Sequence, residues 1–330
     1  MRIAVDAMGG DYAPREIVKG AVEAAMRLDR ISRIILVGRA EEIERELIGC
    51  KARDKIEVFN ATEIVGMGET PALAVRKKKD SSIGRAVDLV KNGKADAVVS
   101  AGNTGAVVVA ATLKLRTLAG VMRPAIAAIM PTQKRPFVLI DAGANIDCDA
   151  TLLMQFAVMG NVYAKTILGQ NKPVVGLLSI GGEDSKGNEI TKSTFGALSR
   201  SSLNFRRNVE GHDLFRGETD VVVCDGFVGN IVLKTTESTA IAIGHWMKQE
   251  FSKNILRIGG TILLRGALKA MKKRMNPETY GGAPLLGVNG VCIITHGASS
   301  HSAIFHAIRV ATDSVHNHLN QMIVDDIARV

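Results

Sequence analysis

Four short apolar runs in this chain stop at an Asp or Ser and turn through glycine toward an Asn or a second Asp, a pattern suited to gripping an anion. They are Ile3 to Val5 into Asp6-Ala-Met-Gly9-Gly10-Asp11, Ala97 to Val99 into Ser100-Ala-Gly-Asn103-Thr104-Gly105, Phe137 to Ile140 into Asp141-Ala-Gly-Ala-Asn145, and Val221 to Cys224 into Asp225-Gly-Phe-Val-Gly-Asn230. Glycine after a strand lets backbone N–H groups approach an anion, and a following helix adds its positive end. Phosphate is the natural guest. The amide of Asn103 and the hydroxyl of Thr104 can donate to its oxygens, whereas the carboxylates of Asp6, Asp11, Asp141 and Asp225 suit the orientation of donors, since like charges repel. Taken singly, each turn also reads as an ordinary Gly-Asn turn. In an open parallel sheet the carboxyl ends of the strands share one edge, so all four turns are expected on a single rim.

Further side chains could work on a reacting carbonyl. Lys186, in the loop Ser179-Ile-Gly-Gly-Glu-Asp-Ser-Lys-Gly187, either neutralises a phosphate or polarises a carbonyl, or is a surface lysine of a mobile loop. His296 follows the apolar run Val291 to Thr295 and either protonates a leaving group or satisfies a helix start. Cys148 and Cys224 sit beside two of the turns and could form a thioester intermediate, although cysteine is more often a small buried packing residue. No G-x-G-x-x-G with a following acid, P-loop or G-x-S-x-G elbow is present, so dinucleotide, nucleotide and serine-nucleophile chemistry lose ground. Without a serine nucleophile, the anion itself can be the attacking group, beside the cysteine route. No histidine spacing suggests a metal, and no cofactor is expected.

These residues need elements to carry them. Pro14 opens a helical pattern to about Leu28, followed by strands at Ile34 to Val37 and Ile56 to Phe59 around a helix from Glu41 to Leu47, then a helix from Ser82 to Lys91 before the Ala97 strand. A helix follows the Ser100 turn. Ala125 to Met130 and Phe137 to Ile140 read as strands that could form a hairpin. Helices at about Leu152 to Leu168 and Asn188 to Leu198 flank a strand at Pro173 to Leu178, and His316 to Ile327 completes a helical C-terminus. Alternating apolar strands and helices predict an α/β fold with a mainly parallel sheet covered on both faces, a three-layer αβα sandwich. One domain over 1–330 is expected, with a helical excursion at 230–275 that protrudes from it.

The bulk composition narrows the partners. With 46% hydrophobic and 23% charged residues the chain is globular, and its net charge of +9 favours an anionic partner: nucleic acid, lipid, phosphate or an acidic protein. Aromatic residues are only 4% of the chain, which counts against base-stacking nucleic-acid binding. Four scattered cysteines suggest neither a disulfide framework nor a zinc site, in keeping with a reducing cytoplasm. Met1 runs straight into a strand, and no apolar run approaches the ~20 residues of a membrane span. Basic Arg76-Lys-Lys-Lys79 is a solvated helix end or a greeting for an acidic partner. Between Lys248 and Met275, apolar residues at near-helical spacing alternate with Lys253, Arg257, Arg265, Lys269, Lys272, Lys273 and Arg274, which suits either an anionic lipid surface or a second subunit.

In order along almost the whole chain, the Ile3 to Asp11, Ser100 to Ala106 and Asp141 to Asn145 motifs, Asn208-Val-Glu-Gly211, Asp225 to Asn230, Tyr280-Gly-Gly-Ala-Pro-Leu-Leu-Gly287 and His296-Gly resemble the bacterial phosphate acyltransferases of phospholipid synthesis. That resemblance implies conversion of acyl-[acyl carrier protein] and inorganic phosphate to acyl phosphate and free carrier, with the product passed to a membrane acyltransferase. It also implies a fold like the isocitrate and isopropylmalate dehydrogenases and the phosphotransacetylases, and a cytoplasmic homodimer sitting peripherally on the inner face of the membrane. Ser179, where asparagine is usual, and Ala298-Ser299-Ser-His301 depart from the family pattern.

The implied chemistry assigns roles. Asn103, Thr104 and nearby amides hold phosphate for direct attack, Lys186 or Asn230 stabilises the oxyanion, and His296 assists departure of the thiol. Two rivals remain at this point, an oxidative decarboxylase that uses a nicotinamide cofactor on the same fold, and a non-catalytic membrane scaffold that docks acyl carrier protein.

Overall fold

The computed structural model describes residues 1–275 and 280–329, with side chains for 1–271 and 280–329. In chain order the elements are β1 (Arg2–Asp6), α1 (Arg15–Arg27), β2 (Arg33–Gly38), α2 (Ala40–Glu46), β3 (Ile56–Asn60), α3 (Pro71–Lys77), α4 (Ser82–Lys91), β4 (Ala97–Ser100), α5 (Thr104–Leu115), β5 (Ala125–Met130), β6 (Phe137–Ile140) and α6 (Ala150–Ile167). There follow β7 (Val175–Leu178), α7 (Glu189–Arg200), β8 (Phe205–Val209), β9 (Val221–Val223), α8 (Gly226–Phe251), α9 (Ile255–Leu263), α10 (Arg265–Met275), β10 (Ala283–Leu286), β11 (Val291–Ile294), α11 (His301–His316) and α12 (Leu319–Ile327). Most elements predicted from apolar periodicity fall where expected, but α11 was not foreseen, and the C-terminal helix expected from His316 starts at Leu319, after His316 ends α11. Periodicity passed over α3, which begins at Thr70-Pro71 with proline in the first turn, and β8 and β10, the latter weakened as a strand signal by Pro284.

All strands join one sheet in the order β3-β2-β1-β4-β11-β10-β5-β6-β9-β7-β8. Neighbours are parallel within β3-β2-β1-β4-β11 and within β6-β9-β7-β8. Between these blocks, β10 is antiparallel to β11 and to β5, and β5 is antiparallel to β6. Three reversals turn the second block around, so the four glycine turns do not share one rim as the parallel reading predicts. They form two rims on oppositely directed strands.

A stagger keeps those rims level. Ser100 pairs with Ile294, which pairs with Ala283 of β10, while two residues further along β10 Leu285 pairs with Ile126, whose N–H donates to the Asp141 carboxylate. Two residues of strand is roughly 7 Å. The carboxyl ends of both blocks therefore finish at nearly the same height on either side of β10.

Strand alternation fills two faces of the first block. Ile3 and Val5 pack with Ile17, Ala21 and Ile308, while Ala4 turns to Ile83, Val87 and Ala110. In the second block Val138 and Ile140 meet Phe156 and Ile323, and Phe137 and Leu139 face Val232 and Leu233 of α8. Full burial of one such aliphatic or aromatic side chain contributes about 1.5–3 kcal/mol, which holds the rims on a rigid base.

The predicted excursion is α8, α9 and α10. The 26 residues of α8 extend roughly 39 Å, and only Gly226 and Gly229 of that helix are fully buried. Ile241, Trp246, Ile255, Leu256 and Leu263 are exposed. The side chains of Lys272, Lys273, Arg274 and Met275 lie outside the described residues. Among the described residues no helix is long and apolar enough to cross a membrane.

Candidate active site

Adjacent β1, β4 and β11 carry the Asp6, Ser100 and His296 turns to one rim. Asp6 is buried, and its carboxylate accepts hydrogen bonds from Ser100 Oγ at 2.7 Å and Met8 N at 3.2 Å, with Ser82 and Gly9 as further donors. Burial pushes its pKa up against the pull of those donors. Ser100 Oγ in turn accepts from Gly102 N at 3.0 Å. Asp6 thus ties the two turns together. A Cβ on Gly9 would stand 2.6 Å from both Asp6 Oδ2 and Gly102 N, so only glycine lets the two turns meet. Gly10 packs on the Gly297 carbonyl, which accepts from Asp11 N at 2.8 Å, and the Asp11 side chain is exposed at the rim.

Asn103 departs from its expected role. Its Oδ1 caps α5 by accepting from Ala106 N at 3.0 Å, and its Nδ2 donates to the carbonyls of Met67 at 2.9 Å and Glu69 at 3.1 Å. The amide is occupied in pinning the 66–69 loop to the helix start. Gly105 gives room to the Pro71 ring, which seats α3 there. What remains for an anion is the exposed Thr104 hydroxyl and the N–H groups of Thr104 and Gly105, since that of Ala106 is taken by the cap.

His296 is exposed at the same rim, and its Nδ1 accepts from Ala298 N at 3.1 Å. A ring nitrogen that accepts carries no proton, so the neutral imidazole bears its hydrogen on Nε2 and offers a donor away from the backbone. His296 and Ala298 also line a cavity of about 1230 Å³ whose other walls come from 237–271 of the excursion.

On the second rim, β6 and β9 bring the Asp141 and Asp225 turns together. The buried Asp141 carboxylate accepts from the N–H groups of Ile126, Gly143, Ala144 and Asn145 at 2.7–3.1 Å and from Asn145 Nδ2 at 2.9 Å. Burial raises its pKa against these donors. Asn145 also donates to the Pro124 carbonyl at 2.7 Å, and Asp225 caps α8 at Val228 N, 2.9 Å away. These three side chains are committed to the turn. Gly229 packs α8 so closely that a Cβ there would sit 1.9 Å from the Asp141 carbonyl oxygen.

Asn230, beside Gly143, is half-buried at the start of α8. Seven residues on, roughly 10 Å along the axis, Glu237 lines the cavity with His296, so α8 bridges the two rims. Lys186 is exposed, its stem packed under Gly181, in the loop after β7, the next strand out from β9. In the same loop Ser179 Oγ is buried with no partner among the described residues.

The cysteines are poor nucleophiles. Burial and the nearby Asp141 and Asp225 carboxylates push the Cys148 thiol up to about 11, and burial pushes Cys224 well above its ordinary value. Past the carboxyl end of the edge strand β8, Glu210, His212 and Asp213 each offer one ligand atom within 4.8 Å of the others. Sequence reasoning missed Ser82 and the 66–69 loop; the Gly66-Met-Gly68 turn before Thr70-Pro71 was the available signal.

A family model described as a fatty acid synthesis protein matches residues 1–322. The phosphate acyltransferase of Pelotomaculum thermopropionicum is 51% identical over 330 residues, covering 100% of this chain and 96% of the relative. That of Desulforamulus reducens is 51% identical over 315 residues, covering 96% and 94%. Among solved structures, a phosphotransacetylase from Streptococcus pyogenes aligns with a TM-score of 0.60 at 19% identity, covering 96% of this chain and 94% of that one. A 4-hydroxythreonine-4-phosphate dehydrogenase from Klebsiella pneumoniae aligns at 0.52 with 14% identity, covering 97% and 99%. These two likenesses bear on the fold alone, and they agree with the phosphotransacetylase-like and dehydrogenase-like architecture that the motifs imply. Rims, bridging helix and sequence together make this chain a member of the fatty acid synthesis protein family that contains the phosphate acyltransferases, a family of transferases.

Proposed function

We propose that this chain transfers a fatty acyl group from the thioester of acyl carrier protein to inorganic phosphate, giving acyl phosphate and free carrier. The observation that carries this reading is the meeting of an anion-suited rim with an apolar cavity at His296. Phosphate is held by the Thr104 hydroxyl and the first-turn amides of α5, in a frame set by Asp6 and Ser100. A phosphate oxygen attacks the thioester carbonyl, the C–O bond forms, and the C–S bond breaks as the tetrahedral oxyanion collapses. Asn230 and Lys186 stabilise that oxyanion, and His296 Nε2–H donates a hydrogen bond to the departing thiolate. Membership in a transferase family removes the oxidative decarboxylase and the docking scaffold as readings.

The partners follow from surface chemistry. The net charge of +9 suits an acidic carrier protein and an anionic membrane surface. Ile255, Leu256 and Leu263 are more than four-fifths exposed on α9, and Lys253, Arg257 and Arg265 flank them, so the tip of the excursion lies on lipid and passes acyl phosphate to a membrane acyltransferase. Glu250 pairs with both Lys253 and Arg257, which tempers that charge. The protein works as a cytoplasmic homodimer of one three-layer domain per chain, peripheral to the inner face of the membrane.

Incubating purified protein with acyl-carrier protein and phosphate is expected to yield acyl phosphate, detected by mass spectrometry. His296→Gln should lower kcat by about 10²-fold or more. Absence of acyl phosphate across acyl chain lengths overturns the reading.

A further inference from the structure

The cavity between α8, α9 and α10 is longer and drier than a phosphate site requires. Its volume of about 1230 Å³ lies above the ~300–1,000 Å³ of ordinary small-molecule pockets. Its α8 wall runs from Glu237 through Ile241, Gly244 and Lys248 to Ser252, positions spaced along one helical stripe and roughly 22 Å from end to end. Phe251, Ile258, Ile262 and Leu268 complete apolar walls. Among the described residues Lys248, Arg265 and His296 face a single lining carboxylate, Glu237, so the slot suits a ligand with a long apolar body and an anionic head. His296 and Ala298 are its only lining residues from outside the excursion, among the described residues, which makes the slot continuous with the rim that carries the reacting groups.

We propose that this slot holds the acyl chain of the substrate and of the acyl phosphate formed from it, with the reacting carbonyl at His296; the assignment rests on the acyl-transfer reading above. Two apolar faces of α9 then have separate occupants. Ile258 and Ile262 line the slot, whose open side leaves them 46% and 68% exposed, while Ile255, Leu256 and Leu263 lie outside it at 84–87%. Each methylene of the chain that enters the slot leaves water and strengthens binding about fourfold, so the slot selects for long chains.

Gly244 provides the test. It lies midway along the α8 wall, and an added Cβ would meet nothing within 4 Å, so a large side chain there fills the slot without a backbone clash. Gly244→Phe, with Gly244→Leu as a second variant and thermal melting as the folding control, is compared with wild type on sixteen-carbon and four-carbon acyl-carrier thioesters. Displacing two methylenes is expected to lower the long-to-short ratio of kcat/KM about 15-fold. Binding of hexadecanoate, followed by native mass spectrometry, should weaken in parallel. That measurement decides the slot even when no acyl phosphate forms, an outcome that removes the acyl-transfer reading by itself. A ratio and a hexadecanoate affinity that both stay at wild-type values overturn the proposal. So does a changed sedimentation coefficient, or lost co-sedimentation with anionic vesicles, at an unchanged ratio, since the slot then belongs to a second copy or to the lipid surface.

Discussion

The Ser100 hydroxyl donates to Asp6 Oδ2 at 2.7 Å, tying together two strand ends that are 94 residues apart in the chain. Because Asp6 is buried, losing that donor weakens the set that satisfies its carboxylate, leaving Ser82, Met8 N and Gly9 N. Ser100→Ala is expected to cost about 1–3 kcal/mol in denaturant unfolding and to lower kcat/KM by loosening the Gly9–Gly102 contact. The sign of the pH effect follows from burial. Asp6 has a raised folded pKa, so its contribution is greatest in acid and declines as pH climbs past the unfolded carboxylate value. The Ser100 bond itself pulls the Asp6 pKa down by favouring the charged carboxylate, so the variant should lose more stability at pH 7 than near pH 3, and equal losses at both would contradict the assignment.

Asn103 and Thr104, though neighbours, should respond differently. Asn103→Ala removes a helix cap and is expected to lower stability by about 1 kcal/mol or more. Thr104→Ala removes only an exposed hydroxyl, so its melting temperature should hold while KM for phosphate rises several-fold. Should the alanine at 104 leave phosphate saturation unchanged, the anion sits elsewhere.

Cys148→Ala with Cys224→Ala tests direct attack by phosphate. A thiol whose pKa is about 11 is ionised to about one part in ten thousand at pH 7. Turnover is expected to persist within a few-fold, at a packing cost of about 1 kcal/mol per site. Rapid-quench trapping of a wild-type acyl-enzyme that disappears in this variant would overturn direct attack.

Asp80 sets a pH limit on the frame behind Asp6. It accepts from Thr62 Oγ1 at 2.7 Å, Thr62 N at 2.8 Å and Arg85 Nε at 2.8 Å, and these donors hold its pKa down to about 2. A depressed folded pKa stabilises above the unfolded value, and that stability is lost as pH falls toward 2. Asp80→Asn should therefore melt below wild type at pH 7, with the gap closing between about pH 4 and pH 2. A gap that is constant with pH would assign the effect to packing. Since Asp80 lies two residues before Ser82, a donor to Asp6, a parallel fall in activity is expected.

Much of the turn framework was legible because its signals are local. The turns after β1, β4, β6 and β9 were found as written, and α4 has its predicted bounds. Asn103 was identified but given the wrong task, because the side chains that cap a helix are the same types that donate to phosphate, and only the positions of Met67 and Glu69 show the amide to be occupied. The 66–69 loop carries no periodicity, and its one local mark, the Gly66-Met-Gly68 turn before Thr70-Pro71, does not say what the loop touches.

What the amino-acid order determined by itself was the turn chemistry, the helix starts and the family, all properties of a few consecutive residues or of motifs in sequence. Strand direction was decided by the tertiary structure. Ala283 to Leu286 is a short strand containing proline, yet its antiparallel pairings reverse the second block and set the stagger that levels the two rims. Pairings such as Leu285 with Ile126 join residues far apart in the chain, and their register is settled by packing two blocks against each other. The placement of His296 against α8 has the same origin, since a 26-residue helix reaches from one rim to the other only once both blocks are in place.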